Sequence, residues 1–350
     1  MNYMISVIFR AIPLVMALYC FGYGSFILVT SNVPSKYVAG VVIFGLGFIC
    51  LALFATAATI IRQLLHTFKP YHAYILPGIG YVSAIIAIVG GIIVYKHYHN
   101  EFFFVSGHVV SGVGLVTLCV STVAVASTRF TLISVNSKIP VDKIPKEAFT
   151  ALQEKILKWI PIIAAGIAWI WAFVLLGNRS DASHFVAGHV MVGLACICTS
   201  LISLVATIAR QVRNVYGSFE RGKWSMLVFA MGGVAILWGV VLAIFEATPA
   251  KASIGYVLIG LGLVCLSISS KVVLLAKIWK HDFPLANRIP IIPVVTALTC
   301  LFMSAFLFEE SMVSPDYYVP AHVLTGLGAI CFTLFSIVSI LESGTSSSQS

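Results

Sequence analysis

Stretches of about 20 apolar residues recur along the whole chain, each long enough to cross roughly 30 Å of hydrocarbon. A segment inside lipid must satisfy its own backbone hydrogen bonds, and a helix does so. Spanning strands would leave alternating segments of about ten residues, a pattern the sequence lacks. Composition agrees, because 60% of the residues are hydrophobic and only 9% are charged, against about 25% charged in soluble domains. The net charge of +9 therefore points to orientation in a membrane before it points to nucleic acid, and no nucleic-acid partner is expected. The expected partner is the lipid bilayer. Ten spans are predicted, at 11–29, 38–61, 74–95, 105–128, 159–177, 185–209, 225–245, 254–276, 289–308 and 319–341.

Numbered in order, these spans leave all but Lys36, Lys96, Arg179 and Lys251 of the 21 lysines and arginines on one side. The 12 acidic residues divide evenly and do not blur the bias. The basic side is cytoplasmic, so both termini are expected in the cytoplasm. The first span reads as a retained anchor, since its apolar run is too long for a secretory signal. The eight cysteines all fall in predicted spans, which argues against a disulfide framework.

One phrase returns through the chain. It reads GVVIFGLGFIC from Gly40, GHVVSGVGLVT from Gly107, GHVMVGLACIC from Gly188, GYVLIGLGLVC from Gly255 and AHVLTGLGAIC from Ala321. The phrases align on Gly45, Gly112, Gly193, Gly260 and Gly326, at a period of about 67 residues with one longer interval. At one fixed offset after the first four come Arg62, Arg129, Arg210 and Lys277. The separation corresponds to about 25 Å of helix, so these bases mark the cytoplasmic interface and the glycines lie near the outer one. The fold class expected is all-α, a single transmembrane bundle over 1–342. It is built from five similar hairpins at about 11–62, 74–129, 159–210, 225–277 and 289–342. Small residues down the second helix of each hairpin allow close approach in lipid, and these helices are expected to form the inner set.

The longer interval holds a cytoplasmic loop over 131–158. There Pro145 starts a predicted interfacial amphipathic helix carrying Phe149, Leu152 and Ile156. The polar tail at 343–350 is expected to be disordered. Pro13, Pro77, Pro161 and Pro290 read as first-turn prolines, and Pro293 as a kink. Lys271 is expected to snorkel to the cytoplasm.

His108, His189 and His322 occupy equivalent places in the repeat, just outside the aligned glycines, with Val41 and Tyr256 in the other copies. His184 also lies on the outer side. Interfacial rings anchor helix ends, which gives these histidines a structural reading as wet anchors. Their titration near pH 6.5 gives a second reading, as sensors of outer acidity. Haem ligation is a third, and no His-x-x-x-His or Cys-x-x-Cys-His spacing supports it. Glu246, Glu309 and Glu310 end spans at the outer edge as shallow acids. No nucleophile elbow, phosphate loop or zinc motif occurs, so no enzymatic activity, cofactor or metal is expected.

Its length, ten spans and repeated G-H-V-x-x-G phrases make the chain resemble the YhiM-like family of enterobacterial inner-membrane proteins, whose domain type is unassigned. The resemblance implies a bacterial inner-membrane protein linked to survival in acid, with export of a small amino-acid-derived solute such as γ-aminobutyrate. A structural or pH-sensing membrane protein without transport is the alternative, and a haem-binding redox protein the weaker one.

Overall fold

The computed structural model describes residues 3–31, 33–97, 101–136, 140–178, 181–280 and 288–346. Arg179, Lys138 and His99 lie outside the described residues. The described chain is helical: α1 (Tyr3–Thr30), α2 (Pro34–Leu64), α3 (His72–His97), α4 (Glu101–Ser127), the short α5 (Thr131–Asn136), α6 (Ala151–Leu176), α7 (Ala182–Val212), α8 (Ser218–Phe245), α9 (Pro249–Lys280), α10 (Ile291–Glu310) and α11 (Tyr318–Ser346). Among the described residues, 10 helices are long and apolar enough to cross a membrane.

Local chemistry sets the helix ends. Pro34 opens α2, where its missing N–H costs nothing. Thr150 caps α6 by accepting from Gln153 N–H, and the Gln153 side chain returns to Thr150 N–H. Asp181 caps α7 through Ser183 N–H at 2.9 Å. After α2 and α7 the backbone turns left-handed at His66 and Asn214, both at φ 55. Thr67 N–H then reaches Arg62 O and Val215 N–H reaches Arg210 O, so the last carbonyls are satisfied.

Packing sorts the long helices into two rings. Inside, α2, α4, α7, α9 and α11 each pack on the next, and α11 packs on α2 to close the circle. Outside, α1, α3, α6, α8 and α10 each lie in the groove between the inner helix that follows and the one before. Between 72% and 89% of each inner helix's apolar window is buried, against 28% to 33% of each outer one. The outer helices therefore present the lipid face. Its exposed side chains include Ile85, Ile170, Leu237 and Phe302.

Lipid tails are as apolar as leucine, so this packing rests on dispersion, close approach and hydrogen bonds. Small residues supply the approach in two directions. A side chain added at Gly45 would meet Val110 of α4, and one at Gly112 would meet Met191 and Leu194 of α7. Gly193 faces Leu258 and Leu261 of α9, Gly260 faces Leu324 and Leu327 of α11, and Gly326 faces Leu46 of α2. Each aligned glycine thus receives a large side chain of the next inner helix. Within the pairs, Gly107 lies against the backbone of Gly91 and Tyr95, and Gly255 against Gly239 and Ala243. Hydrogen bonds stitch the same seams: Trp169 Nε1 to Thr199, Ser304 to Ala321 O, and Ser267 with Thr296 at 2.6 Å. At one end, Gln63 of α2 donates to Ser127 O of α4, and Gln211 of α7 donates to Leu275 O of α9.

Several expectations are corrected. No separate interfacial helix starts at Pro145. The segment from Ala151 is the first part of α6, because Thr150 caps it and Pro161 does not break it. Leu152 and Ile156 are exposed on that continuous helix while Phe149 is buried before it. Pro13, Pro77 and Pro161 lie inside α1, α3 and α6 and do not cap them; each removes one donor, which neighbouring helices tolerate in a membrane bundle. Pro293 sits in the first turn of α10, where no kink is required. Residues 343–346, expected in the tail, continue α11; 347–350 lie outside the described residues.

Gly193→Val should lower the thermal stability of the detergent-purified chain by about 1–3 kcal/mol, the usual cost of overpacking. Gly166, with nothing within 4 Å of an added side chain, is the control. Gly166→Val should change stability by about 0.5 kcal/mol or less, as read by a melting curve.

Candidate functional site

A closed ring has an axis, and side chains in matched register line it. At one end Val42, Val109, Val190, Val257 and Val323 surround a vestibule of about 340 Å³, rimmed by Ser253 and Asp316. Deeper, Ile49, Val116, Ile197, Val264 and Ile330 form one aliphatic layer, and Leu53, Val120, Leu201, Ile268 and Leu334 form another. These layers leave a cavity of about 20 Å³, room for about one water. The next register brings Val123, Leu204 and Lys271 to the same cavity. Lys271 does not snorkel as expected. It is 1% exposed and is the one charged side chain lining this cavity. Its neighbours Ile268 and Leu275 on α9 are equally buried, so the side chain points into the ring and not along the lipid face. Among the described residues no ion pair reaches its amine.

The three repeat histidines lie off the axis, between the rings. They are 4–6% exposed, so the wet-anchor expectation is overturned: each ring is covered by an outer helix. Their surroundings repeat. His108 Nδ1 lies 2.7 Å from Phe104 O, His189 Nδ1 2.8 Å from Phe185 O, and His322 Nδ1 2.8 Å from Tyr318 O. A carbonyl only accepts, so Nδ1–H donates and Nε2 is the nitrogen left to titrate. Each imidazole also meets an aromatic from the next outer helix: Trp171 for His108, Trp238 for His189 and Tyr23 for His322.

On the other flank sits a layer that sequence reading missed. His108 packs on Phe104 (4.2 Å between ring centroids), His189 on Phe185 (4.2 Å) and His322 on Tyr318 (4.1 Å). Each of those aromatics also meets a basic group of the neighbouring inner helix. His184 stacks on Phe104 at 4.5 Å. Lys251 lies over Phe185 at 4.9 Å and Lys36 over Tyr318 at 5.7 Å. Three of the five inner seams therefore carry a base, an aromatic ring and a histidine in series. The remaining two carry aromatic pairs instead: Tyr37 with Phe103 in the register of the ring and base, and Tyr256, in the histidine position, with Tyr317. The signal was present in the alignment, one turn outside the histidines.

The other candidates divide. Glu246 caps the end of α8 within electrostatic range of His189. Glu309 and Glu310 close α10 without an ion pair among the described residues, and Glu309 is exposed. Asp181 pairs with His184 at 2.8 Å. Hydrogen bonds from the Ser183 hydroxyl and N–H, joined by His184, hold its carboxyl below the usual carboxylate range. A depressed carboxyl contributes stability above its unfolded value and loses it only as pH falls through its folded one. The cap of α7 is thus kept in mild acid.

The four repeat bases sit at the opposite end. Arg210 binds Glu154 at 3.1 Å and also Glu220, while Arg213 and Lys158 (2.7 Å) complete the shell around Glu154, which is 2% exposed. Arg129 donates to Glu147 O and lies over Phe149 at 5.2 Å. Arg62 borders a shallow pocket with Thr67, and Lys277 is half-buried. Glu154 was not singled out in the sequence, where only its partner Lys158 is near. Among the described residues no group of three or more His, Cys, Asp or Glu could hold a metal ion, and the eight cysteines are buried and free.

The family described as "Protein of unknown function (DUF2776)" matches residues 1–346. The chain belongs to that family. It is 42% identical over 348 residues to "Inner membrane protein YhiM" of Escherichia coli (strain K12), covering 98% of this chain and 99% of that one. No solved structure matches. The relative's name and the ten apolar helices together make the chain a multi-pass membrane protein.

A buried base without a partner is a stability cost. With gluconate as the only anion, Lys271→Met, which keeps the volume and removes the amine, should raise the melting temperature by several degrees, equivalent to about 1–3 kcal/mol. An unchanged or lowered melting temperature would show that the amine has a stabilising partner.

Proposed function

We propose that the chain is a bacterial inner-membrane protein, with both termini in the cytoplasm, that supports survival in acid by passing a small amino-acid-derived solute outward along the axis of its ring. The relative's name places that protein in the inner membrane, and the bias of lysine and arginine favours cytoplasmic termini. The observation that carries the reading is the axis itself. An open vestibule leads to stacked aliphatic layers, and one base lies beyond them. Hydrophobic constrictions of this kind gate by excluding water, so the described conformation corresponds to a closed passage.

γ-Aminobutyrate suits the role. Amino-acid decarboxylation consumes a cytoplasmic proton, and its product must then leave. Acid sensing falls to His108, His189 and His322. Protonating a covered imidazole places a charge in a poorly solvated site. It also sets that charge across one aromatic ring from Lys36, Lys251 or His184. Both effects load the seams between inner helices, and widening the ring relieves both. Glu246 moderates the strain at His189 alone, since it is the acid within range there.

A second reading, a pH-sensing protein that carries nothing, draws on the narrowness of the axial cavity. Efflux decides between them. Proteoliposomes loaded with labelled γ-aminobutyrate should empty several times faster as outer pH falls from about 8 to about 5, the range in which histidine titrates. The triple variant H108Q/H189Q/H322Q should lose that pH dependence. An unchanged pH profile in the variant removes the sensing role, and no flux from the wild type at any pH selects the second reading.

A further inference from the structure

We propose that Lys271 is an anion-binding site on the axis of the ring, taking a small monoanion, either an inorganic ion of halide size or the carboxylate end of an organic solute. The proposal rests on the reading of the axis as a passage and names what that passage selects.

Four observations converge on it. Lys271 heads the fully buried side chains, and it lines the axial cavity in company with aliphatic residues alone. Four copies of the repeat place Thr56, Val123, Leu204 and Ile337 in its register. A base is therefore no requirement of the packing, and a neutral side chain fits four times over. No acid shares its depth among the described residues: Glu154 is held by Lys158, Arg210 and Arg213, and the remaining acids of the spans lie near helix ends. An intramembrane charge without a protein partner, facing a cavity, marks a pathway, and rings or single bases of this kind select anions in pores. The cavity is of water size, about 20 Å³, which a halide fills without rearrangement, whereas an organic carboxylate enters only when the aliphatic layers part. At the other end the one charged residue lining the vestibule is an acid, Asp316, so the choice of an anion falls to Lys271.

The test uses the full chain reconstituted in liposomes and planar bilayers. Under a potassium chloride gradient at acidic outer pH, wild type should show a reversal potential on the chloride side. Lys271→Arg should preserve it, Lys271→Gln should reduce the chloride preference severalfold, and Lys271→Glu should turn the preference toward potassium. Conducting Gln and Glu variants with the wild-type reversal potential would overturn the proposal. A second measurement separates this site from the passage. In detergent at constant ionic strength, with gluconate as the replaced anion, chloride, nitrate and γ-aminobutyrate are titrated against the melting temperature. A saturating rise in wild type that Lys271→Met abolishes supports the anion site even where no flux is found, in which case the passage reading alone fails. Equal responses in both proteins overturn the site. A response to chloride and nitrate alone assigns an inorganic ion, and a response to γ-aminobutyrate alone assigns the carboxylate solute.

Discussion

Five missing side chains hold this protein together. At Gly45, Gly112, Gly193, Gly260 and Gly326 the absence of a Cβ lets an aliphatic or methionine side chain of the next inner helix sink against the backbone. In a bilayer that fit counts for more than in water, because burying leucine against leucine instead of lipid gains little. The fit is directional. Each inner helix gives a glycine to one neighbour and a large side chain to the other, so five of them close into a circle. Closure then fixes the rest. It gives the outer helices five grooves, lines an axis with matched layers, and brings each −His-bearing seam against the aromatic of the next outer helix.

Much of this was legible in the chain. The aligned glycines, the fixed offset to Arg62, Arg129, Arg210 and Lys277, and the apolar runs required only pattern and period. Register carried more than was read from it. Lys36, His184 and Lys251 share one repeat position, and Phe104, Phe185 and Tyr318 share the next. Their meaning needs the knowledge that neighbouring inner helices touch there, which sequence spacing within one helix cannot give. Lys271 was misjudged for a related reason. Six residues from the interfacial base Lys277, it has the reach to snorkel, and only the ring shows that it faces the axis and not the lipid. The error at Pro161 was one of local chemistry. A proline after a charged stretch read as a helix start, while the cap that sets the start is Thr150.

On the function proposed, the work of this molecule is divided by depth. The outer third holds titratable rings in covered seams, the middle holds aliphatic layers that exclude water, and the inner third holds one base on the axis and an acid, Glu154, shared among three others. Such a device would respond to the compartment on one side and select on the other. The two requirements are met by different residues, so mutations should separate sensing from selection. Both depend on the ring, since a base facing lipid and a histidine at an open interface would do neither.

Ring closure is the claim beneath all of this, and the α11–α2 seam tests it because the two helices lie at opposite ends of the chain. A side chain added at Gly326 would place its Cβ 3.7 Å from that of Leu46, the spacing of a disulfide. The double variant G326C/L46C, oxidised in native membranes, should form an intramolecular cross-link seen as a shift in electrophoretic mobility that reductant reverses, with neither single variant shifting. A double variant that stays uncross-linked while folded and membrane-inserted would contradict the closed ring.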